Sequence, residues 1–248
     1  MLSELRWRLE GRLKINLGLR VCVPVPARDF RELASLIREA ESSGADLVEV
    51  RLDYMGEGLL ENIDHLRDIV EACSVPMIAT NRHRGQGGVC MLDEELRVES
   101  LLRAAEIGFD HVDVELDTRG LHEIVSHIKA YGAKVIVSHH TFTHTPSTEE
   151  LEETVRREVK AGADICKVVT MANSLADSVR SLVFTYEMSR RVSLVCFAMG
   201  ERGLPSRVLS PIFGASFTYA SLGRGLETAP GQIAIHEMRE IYRRMRLE

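Results

Sequence analysis

Residues 163–170 read Ala163-Asp164-Ile165-Cys166-Lys167-Val168-Val169-Thr170. β-Branched and apolar residues dominate this stretch, which predicts a short buried strand. A helical pattern over residues 148–161 precedes it and ends at Gly162, so the chain passes directly from a helix into a strand. The same unit, a helix followed by a buried strand, recurs along most of the chain.

The repeat sets the predicted fold. Strands are predicted at residues 21–25, 46–52, 75–80, 111–116, 134–139, 163–170, 192–198 and 214–219. Helices are predicted at 29–42, 59–72, 93–107, 121–131, 148–161 and 174–190, and a last one from Pro230 to residue 245. A loop rich in Gly, Pro and Ser separates the last two strands. Eight strands that alternate with helices over most of 248 residues favour a closed (β/α)8 barrel over an open sheet.

No linker divides the sequence, so residues 1–248 are predicted to form a single barrel domain. Residues 1–18 differ from the rest because apolar and polar residues alternate on either side of Glu10-Gly11. This pattern predicts an N-terminal β-hairpin that extends the barrel.

Composition narrows the range of functions. The net charge of −6 argues against general binding of nucleic acids. No apolar run is long enough to cross a bilayer, and no secretory signal pattern opens the chain. The five cysteines are odd in number and lack the spacing of metal ligands, as expected of thiols in a reducing compartment. We therefore expect a cytoplasmic protein that binds neither nucleic acids nor membranes.

Two strands carry polar residues at every second position. Glu49 and Arg51 alternate with valines in the second strand, and Asp113 and Glu115 do so in the fourth. Because alternate residues of a barrel strand face inward, the apolar set should pack on helices and the polar set should point into the barrel. Charges in that position predict a polar site at the carboxyl ends of the strands.

The central residue of the opening stretch is Lys167, although lysine is depleted in strands and rarely buried without a partner. Either its side chain extends to solvent, or a desolvated amine is held where it can attack a ketone. The neighbouring strand ends in Ser138-His139-His140-Thr141-Phe142. His140 shares the direction of Ser138 and is a candidate for proton transfer, although a structural histidine would fit the same position. Neighbouring strands lie about 4.8 Å apart, so the two ends can act on one ligand.

Several motifs, in order, resemble those of the type I 3-dehydroquinate dehydratases of the shikimate pathway, over about residues 19–242. They are Glu49-Val50-Arg51-Leu52-Asp53, Thr80-Asn81-Arg82 with Gly87-Gly88, Ser138-His139-His140-Thr141-Phe142 with Thr145-Pro146, the Lys167 strand, Met199-Gly200 with Ser206-Arg207, Phe213-Gly214, and Ala229-Pro230-Gly231-Gln232. The resemblance implies a carbon–oxygen lyase that converts 3-dehydroquinate to 3-dehydroshikimate, as a homodimer without cofactor or metal.

The resemblance also implies roles for individual residues. Lys167 would form the Schiff base and His140 would be the general acid and base. The substrate-binding residues would be Glu49, Arg51, Arg82, Arg207, Thr228 and Gln232, and residues of less certain role around them are Gln86, Asp113, Glu115, Met199, Tyr219 and Ala229. Arg207 is expected to hold the substrate carboxylate.

Other roles for these residues remain open. Glu49 and Arg51 could equally form an internal ion pair, and Arg82 could neutralise Glu49 or Asp53. Asp113 and Glu115 would support the basic residues. Gln232 either closes over the substrate or lies in the first turn of the helix opened by Pro230.

The chain departs from the family pattern at two positions. Gln86 stands where the family often has a glutamate, so no acid or base role transfers to it. Thr228 stands where serine is common and keeps the hydroxyl. Two other functions fit parts of the pattern: a class I aldolase barrel would share the strand lysine, and a non-catalytic ligand-binding barrel would explain the loss of charge at Gln86. The pairing of Lys167 with His140 argues against a simple binding protein.

Overall fold

The computed structural model describes residues 18–56, 58–89 and 92–247. Its centre is one sheet of eight parallel strands: β1 (Val21–Val25), β2 (Leu47–Arg51), β3 (Met77–Thr80), β4 (His111–Glu115), β5 (Lys134–His140), β6 (Ile165–Met171), β7 (Leu194–Met199) and β8 (Thr218–Tyr219). Each of β1 to β6 pairs with the next strand in the sequence, and β8 pairs with β1. The hairpin predicted for residues 1–18 falls, except for Gly18, outside the described residues.

Closure of the barrel depends on a narrow seam between β7 and β8. The backbone N–H of Ser216, just before β8, donates to the carbonyl of Leu194 at the start of β7, over 2.7 Å. On the other side of β8, Val21 and Cys22 pair with Thr218 and Tyr219. The architecture is therefore the predicted (β/α)8 barrel, nearly closed, with the eighth strand as its shortest element.

Helices cover the outside of the sheet. They are α1 (Phe30–Ser42), α2 (Leu59–Asn62), α3 (Leu66–Ala72), α4 (Glu94–Ile107), α5 (Leu121–Ala130), α6 (Thr148–Ala161), α7 (Leu175–Met188), α8 (Leu204–Leu209) and α9 (Ile235–Arg244). The unit that carries Lys167 has strong local signals: Ser147 and Glu150 form a capping box at the start of α6, and Gly162 ends it with φ +96°.

The predicted helix boundaries are wrong in three places. The helix expected over residues 59–72 is divided into α2 and α3 by a 3₁₀ turn, Ile63–His65, next to an Asn62 side chain that donates to the Gly58 carbonyl. The loop expected after β7 contains α8, with Pro205 in its first turn. The last helix begins at Ile235 and not at Pro230, because the Pro230 carbonyl accepts hydrogen bonds from Gly200 and Arg207.

The two faces of the strands separate as the alternation predicts. Val48 and Val50 of β2, and Val112 and Val114 of β4, pack in the layer between sheet and helices. The barrel interior is filled at one level by apolar side chains that include Cys22, Leu47, Ile78, Ile136 and Val195. Buried polar side chains from five strands fill the interior further along the strands: Glu49, Arg51, Thr80, Asp113, Glu115, Ser138 and Lys167. The interior is therefore apolar in one part and densely charged in another.

None of the helices in the described ranges is both long enough and apolar enough to cross a membrane.

Candidate active site

Lys167 lies inside the barrel, with only 3% of its surface exposed. Its Nζ donates to Asp113 Oδ2 over 2.8 Å, to the Tyr219 hydroxyl over 2.8 Å and to Glu49 Oε1 over 3.3 Å. The amine is also 4.5 Å from the centre of the Tyr219 ring. The side chain therefore does not extend to bulk solvent. Its burial is balanced by two carboxylates and a hydroxyl, as a buried ammonium group requires.

Asp113 connects the charges at the base of the site. Besides Lys167, it binds Arg82 Nη2 over 2.9 Å and accepts from the Ser138 hydroxyl over 2.6 Å. Burial by itself would raise the pKa of Asp113, but the charges of Arg82 and Lys167 outweigh it and hold that pKa well below its usual range. Asp113 is therefore a fixed anion and a weak base.

Arg82 is the second fixed charge. Its partners are Asp113 and Glu115, and not Glu49 or Asp53 as the sequence suggested, because the side chain crosses over β4 and also reaches Ser138. Burial lowers the pKa of Arg82, but the nearby carboxylates raise it by a larger amount, so the net shift of the pKa is upward. Asp113 and Glu115 thus support basic residues, as expected.

A second arginine, Arg97 of α4, completes this network from outside the barrel. It binds Glu115 Oε2 over 2.7 Å and the Asn81 carbonyl over 2.7 Å. On β2, Arg51 forms a two-point ion pair with Asp53, over 2.8 and 2.7 Å, and not with Glu49. Glu49 instead accepts from Thr80, Lys167 and Tyr219.

A cavity opens above these charges at the carboxyl ends of the strands. Twelve of the fourteen sequence-predicted site residues line it: Glu49, Arg51, Arg82, Gln86, His140, Lys167, Met199, Arg207, Tyr219, Thr228, Ala229 and Gln232. The other two, Asp113 and Glu115, are buried beneath it. Four lining residues were missed, Gly87, Phe142, Val169 and Phe197. The alternation of β6 and β7 could have identified Val169 and Phe197, whereas Phe142 follows the end of β5 and carries no such signal.

His140 is half-buried at the end of β5 and is held by Gln86. The Gln86 side-chain oxygen accepts from the His140 backbone N–H over 3.0 Å and lies 3.3 Å from His140 Nδ1. Since that oxygen can only accept, Nδ1 carries the proton and Nε2 is left as the basic nitrogen. Burial, together with the charges of Arg82 and Lys167, holds the pKa of His140 well below its usual value, so the imidazole is neutral near pH 7.

The loop that carries Gln86 has no space for larger residues. A Cβ at Gly88 would lie 1.8 Å from the Arg82 carbonyl oxygen, and one at Gly87 would lie 2.4 Å from the Phe142 ring. The Phe142 ring in turn stacks on His140 at 6.5 Å between ring centres. His139, the neighbouring histidine, turns the other way and lies 3.6 Å from Asp117. The loop and β5 thus orient one histidine toward the cavity.

Arg207 is a buried cation whose charge is not neutralised. It is 1% exposed, lies over the Phe197 ring at 4.4 Å, and donates from Nη2 to the Pro230 carbonyl over 3.1 Å. Within the described ranges it forms no salt bridge, and its Nε has no hydrogen-bond partner. Burial lowers the pKa of Arg207 to about 9, because no carboxylate compensates the lost hydration. The guanidinium is therefore suited to bind an anion that enters the cavity.

The segment after β8 closes the cavity beside Arg207. The Thr228 backbone N–H donates to the Gln232 side-chain oxygen over 2.8 Å, and Gln232 Nε2 lies 3.3 Å from the Thr228 hydroxyl. Gln232 therefore lies in a loop that folds on itself, and the helix begins three residues later. Ala229 and Met199 contribute apolar lining next to it.

Fold and site together define a (β/α)8-barrel enzyme whose cavity presents a buried amine, a neutral histidine and an unneutralised arginine. The chain belongs to the type I 3-dehydroquinase family, whose family model matches residues 21–248.

Relatives agree with this assignment. The chain is 38% identical to the 3-dehydroquinate dehydratase of Dehalococcoides mccartyi over 203 residues, which cover 82% of this chain and 87% of the relative. It is 36% identical to that of Methanothermobacter thermautotrophicus over 225 residues, 91% of this chain and 96% of the relative. The crystal structure of the Geobacillus kaustophilus 3-dehydroquinate dehydratase superposes with a TM-score of 0.83 at 29% identity, covering 92% of this chain and 91% of the other.

The contact between Gln86 and His140 leads to a prediction about proton affinity. In Gln86→Glu a carboxylate replaces the amide beside Nδ1 and stabilises the imidazolium, so the pKa of His140 should rise by roughly half a unit to one unit. The measurement is an NMR titration of the His140 ring nitrogens. In Gln86→Met, which keeps the length but offers neither acceptor nor charge, the Nδ1–H preference should weaken without a comparable rise. An unmoved His140 in Gln86→Glu would mean that the residue does not act on the ring.

Proposed function

We propose that this protein dehydrates 3-dehydroquinate to 3-dehydroshikimate through a Schiff base at Lys167, with His140 as general acid and base. The observation that carries the proposal is the cavity itself, which is lined by an amine, a neutral imidazole and a guanidinium without a counter-charge. Membership of the type I family and the names of the relatives support the same reaction.

The chemistry follows from the substrate, a β-hydroxy ketone that bears a carboxylate. Its α-proton is too weakly acidic to be removed easily in water. An iminium formed with Lys167 Nζ withdraws electrons from the α-carbon and acidifies that proton. His140 Nε2, whose lone pair is free because the surroundings keep the ring neutral, takes the proton and then returns it to the departing hydroxyl, so that water leaves.

The polar lining would orient the substrate for this step. Arg207 would bind the carboxylate through two parallel N–H···O bonds, which also neutralises the guanidinium that the fold leaves unpaired. Glu49, Arg51, Thr228 and Gln232 would contact the ring hydroxyls. Arg82 lines the same wall, but its two salt bridges hold it in place as a structural cation.

Borohydride trapping tests the nucleophile and the base separately. With 3-dehydroquinate present, reduction should leave a stable adduct on Lys167, detected by peptide mass mapping. Lys167→Ala should lose both the adduct and turnover. His140→Ala should still form the adduct, because the amine remains, while dehydration slows by roughly 10²–10⁴. His139→Ala is the matched control and should stay close to the native rate.

The reaction product distinguishes a dehydratase from an aldolase and from a non-catalytic barrel. Product analysis by ultraviolet absorption separates dehydration from the carbon–carbon cleavage of an aldolase, and a non-catalytic barrel would give neither product. Turnover by Lys167→Ala near the native rate would refute the Schiff-base mechanism.

Arg207 provides a separate test of substrate binding. In Arg207→Lys a point charge replaces the planar fork, so KM should rise by about tenfold or more while kcat changes less, because the carboxylate does not react. Arg224, an exposed loop residue, provides the control, and Arg224→Lys should leave KM unchanged. If KM rose only in Arg224→Lys, the carboxylate would bind at Arg224.

We further propose a cytoplasmic homodimer that pairs through α7. Leu175, Val179, Val183 and Tyr186 are between 48% and 64% exposed and fall on one face of that helix. In an antiparallel pairing of two copies, the exposed Glu187 of each would lie near the amino end of the other α7, where the helix dipole favours a carboxylate. The four described cysteines are free thiols, in keeping with a reducing compartment.

The oligomeric state checks this interface. Val179→Asp should shift the protein from dimer to monomer in sedimentation velocity, because it places two like charges in an apolar contact. Tyr131→Asp, an exposed apolar residue at the end of α5, should remain dimeric. A dimer that survives Val179→Asp would place the interface elsewhere.

A further inference from the structure

The side chain of Tyr219 contacts both the Lys167 amine and the Glu49 carboxylate opposite it. It belongs to β8, the shortest strand, and its side chain is buried among Phe197 and Phe217. Its hydroxyl is 2.8 Å from Lys167 Nζ and 3.1 Å from Glu49 Oε1. The dehydration mechanism proposed for Lys167 and His140 assigns no role to this hydroxyl.

The direction of the two hydrogen bonds follows from the groups involved. An ionised Glu49 can only accept, so the single phenolic proton points to Glu49 Oε1. The lone pairs of the phenol then accept from Lys167 Nζ. An aligned path for protons therefore already exists, from Lys167 through the Tyr219 hydroxyl to Glu49.

The amine needs such a path, because an ammonium group cannot attack a carbonyl carbon. Asp113 is as close to Nζ as Tyr219 is, but Arg82, Lys167 and Ser138 hold it as a fixed anion and a poor proton acceptor. Glu49 lacks a salt bridge to any arginine among the described residues and accepts only from Thr80, Lys167 and Tyr219. Its direct contact with Nζ is long, at 3.3 Å.

We propose that the Tyr219 hydroxyl relays protons from Lys167 to Glu49 while the Schiff base forms. This Lys167–Tyr219–Glu49 relay deepens the proposed function and rests on it. In the first transfer Tyr219 takes a proton from Nζ and gives its own to Glu49, which leaves a neutral amine, a neutral phenol and a protonated Glu49.

The remaining steps of imine formation conserve protons and charge. The Nζ lone pair attacks the ketone carbon, the carbonyl electron pair moves to oxygen, and that oxygen takes the proton from Glu49, which lines the cavity. A second transfer from Nζ through Tyr219 protonates Glu49 again, and Glu49 passes this proton to the same oxygen. Water leaves, the iminium keeps one proton on nitrogen, and Glu49 ends as a carboxylate.

The surroundings keep the phenol in its neutral form during these transfers. Charged or titratable groups face the hydroxyl from several elements, namely Cys22 of β1, Glu49 of β2, Asp113 of β4, Lys167 of β6 and Arg207 of α8. Burial and the charge of Glu49 hold the pKa of Tyr219 well above its usual value. A stable phenolate is therefore disfavoured, and the hydroxyl exchanges one proton for another.

The test is the rate of imine formation as a function of pH. The enzyme is mixed with 3-dehydroquinate, quenched with borohydride at intervals, and the Lys167 adduct is quantified by mass. Tyr219→Phe keeps the ring and removes the relay, so the adduct should form about 10²-fold more slowly near neutral pH. In strongly alkaline solution hydroxide removes the amine proton, and the rate should return toward that of the native enzyme. Tyr242→Phe, which removes a buried hydroxyl bonded to the Val208 carbonyl, is the control and should form the adduct at the native rate.

Two results with Tyr219→Phe would contradict the Lys167–Tyr219–Glu49 relay. Adduct formation by Tyr219→Phe at the native rate near pH 7 would overturn the relay. A rate that is equally low at every pH would also overturn it, because that result indicates a displaced lysine. If Tyr219→Phe does not fold, Glu49→Gln interrupts the relay at its other end and should show the same recovery at high pH under saturating substrate. Absence of any adduct in the native enzyme would refute the proposed function and not the relay alone.

Discussion

A lysine inside a barrel can exist only with carboxylates beside it, and the ion pair between Lys167 and Asp113 is the contact on which the rest of the site depends. Removing one partner of a buried pair typically costs about 3–5 kcal/mol, because the other charge is left without water or counter-charge. Asp113 also forms a salt bridge with Arg82, and Arg82 forms a second one with Glu115. Glu115 is in turn bound by Arg97 from α4. The charge on Lys167 is thus balanced through a chain of residues that reaches the outer helices.

The two sides of the cavity differ in how far their charges are neutralised. On the side of β3 and β4 every cation has a carboxylate, so this wall is rigid and already complete. On the side of α8, Arg207 has burial and an aromatic ring but no anion. A ligand carboxylate would therefore be stabilised most beside Arg207, the lining cation to which the protein offers no counter-charge. A ligand bound there would share the cavity with the Lys167 amine, because both residues line it.

The alternation of inward- and outward-facing residues along each strand accounts for most of what the sequence predicts about the site. Because every second residue of a barrel strand faces inward, Glu49, Asp113 and Lys167 could be placed in one interior from the sequence alone. The choice of partners could not, since Arg82 follows the end of β3 and its long side chain could reach several carboxylates. Nor could α8, because six residues that include a proline carry too little periodicity to distinguish a helix from a loop. Arg207 was expected to bind an anion only through family resemblance. The physical reason, a buried guanidinium without a counter-charge, appears only when the fold brings Phe197 and Pro230 around it.

Gln86 and Tyr219 are neutral groups that contact His140 and Lys167 without adding a charge to the site. The interior already contains three carboxylates close to Lys167 and Arg82, namely Glu49, Asp113 and Glu115. A fourth at position 86 would favour the imidazolium of His140 and raise the pKa of the ring, whereas the amide oxygen orients the ring and adds no charge beside it. The Tyr219 hydroxyl likewise connects an ammonium to a carboxylate and remains neutral. In an interior where every ion needs a counter-ion, neutral hydrogen-bonding groups are the ones that can be placed next to the reacting atoms without requiring another charge to balance them.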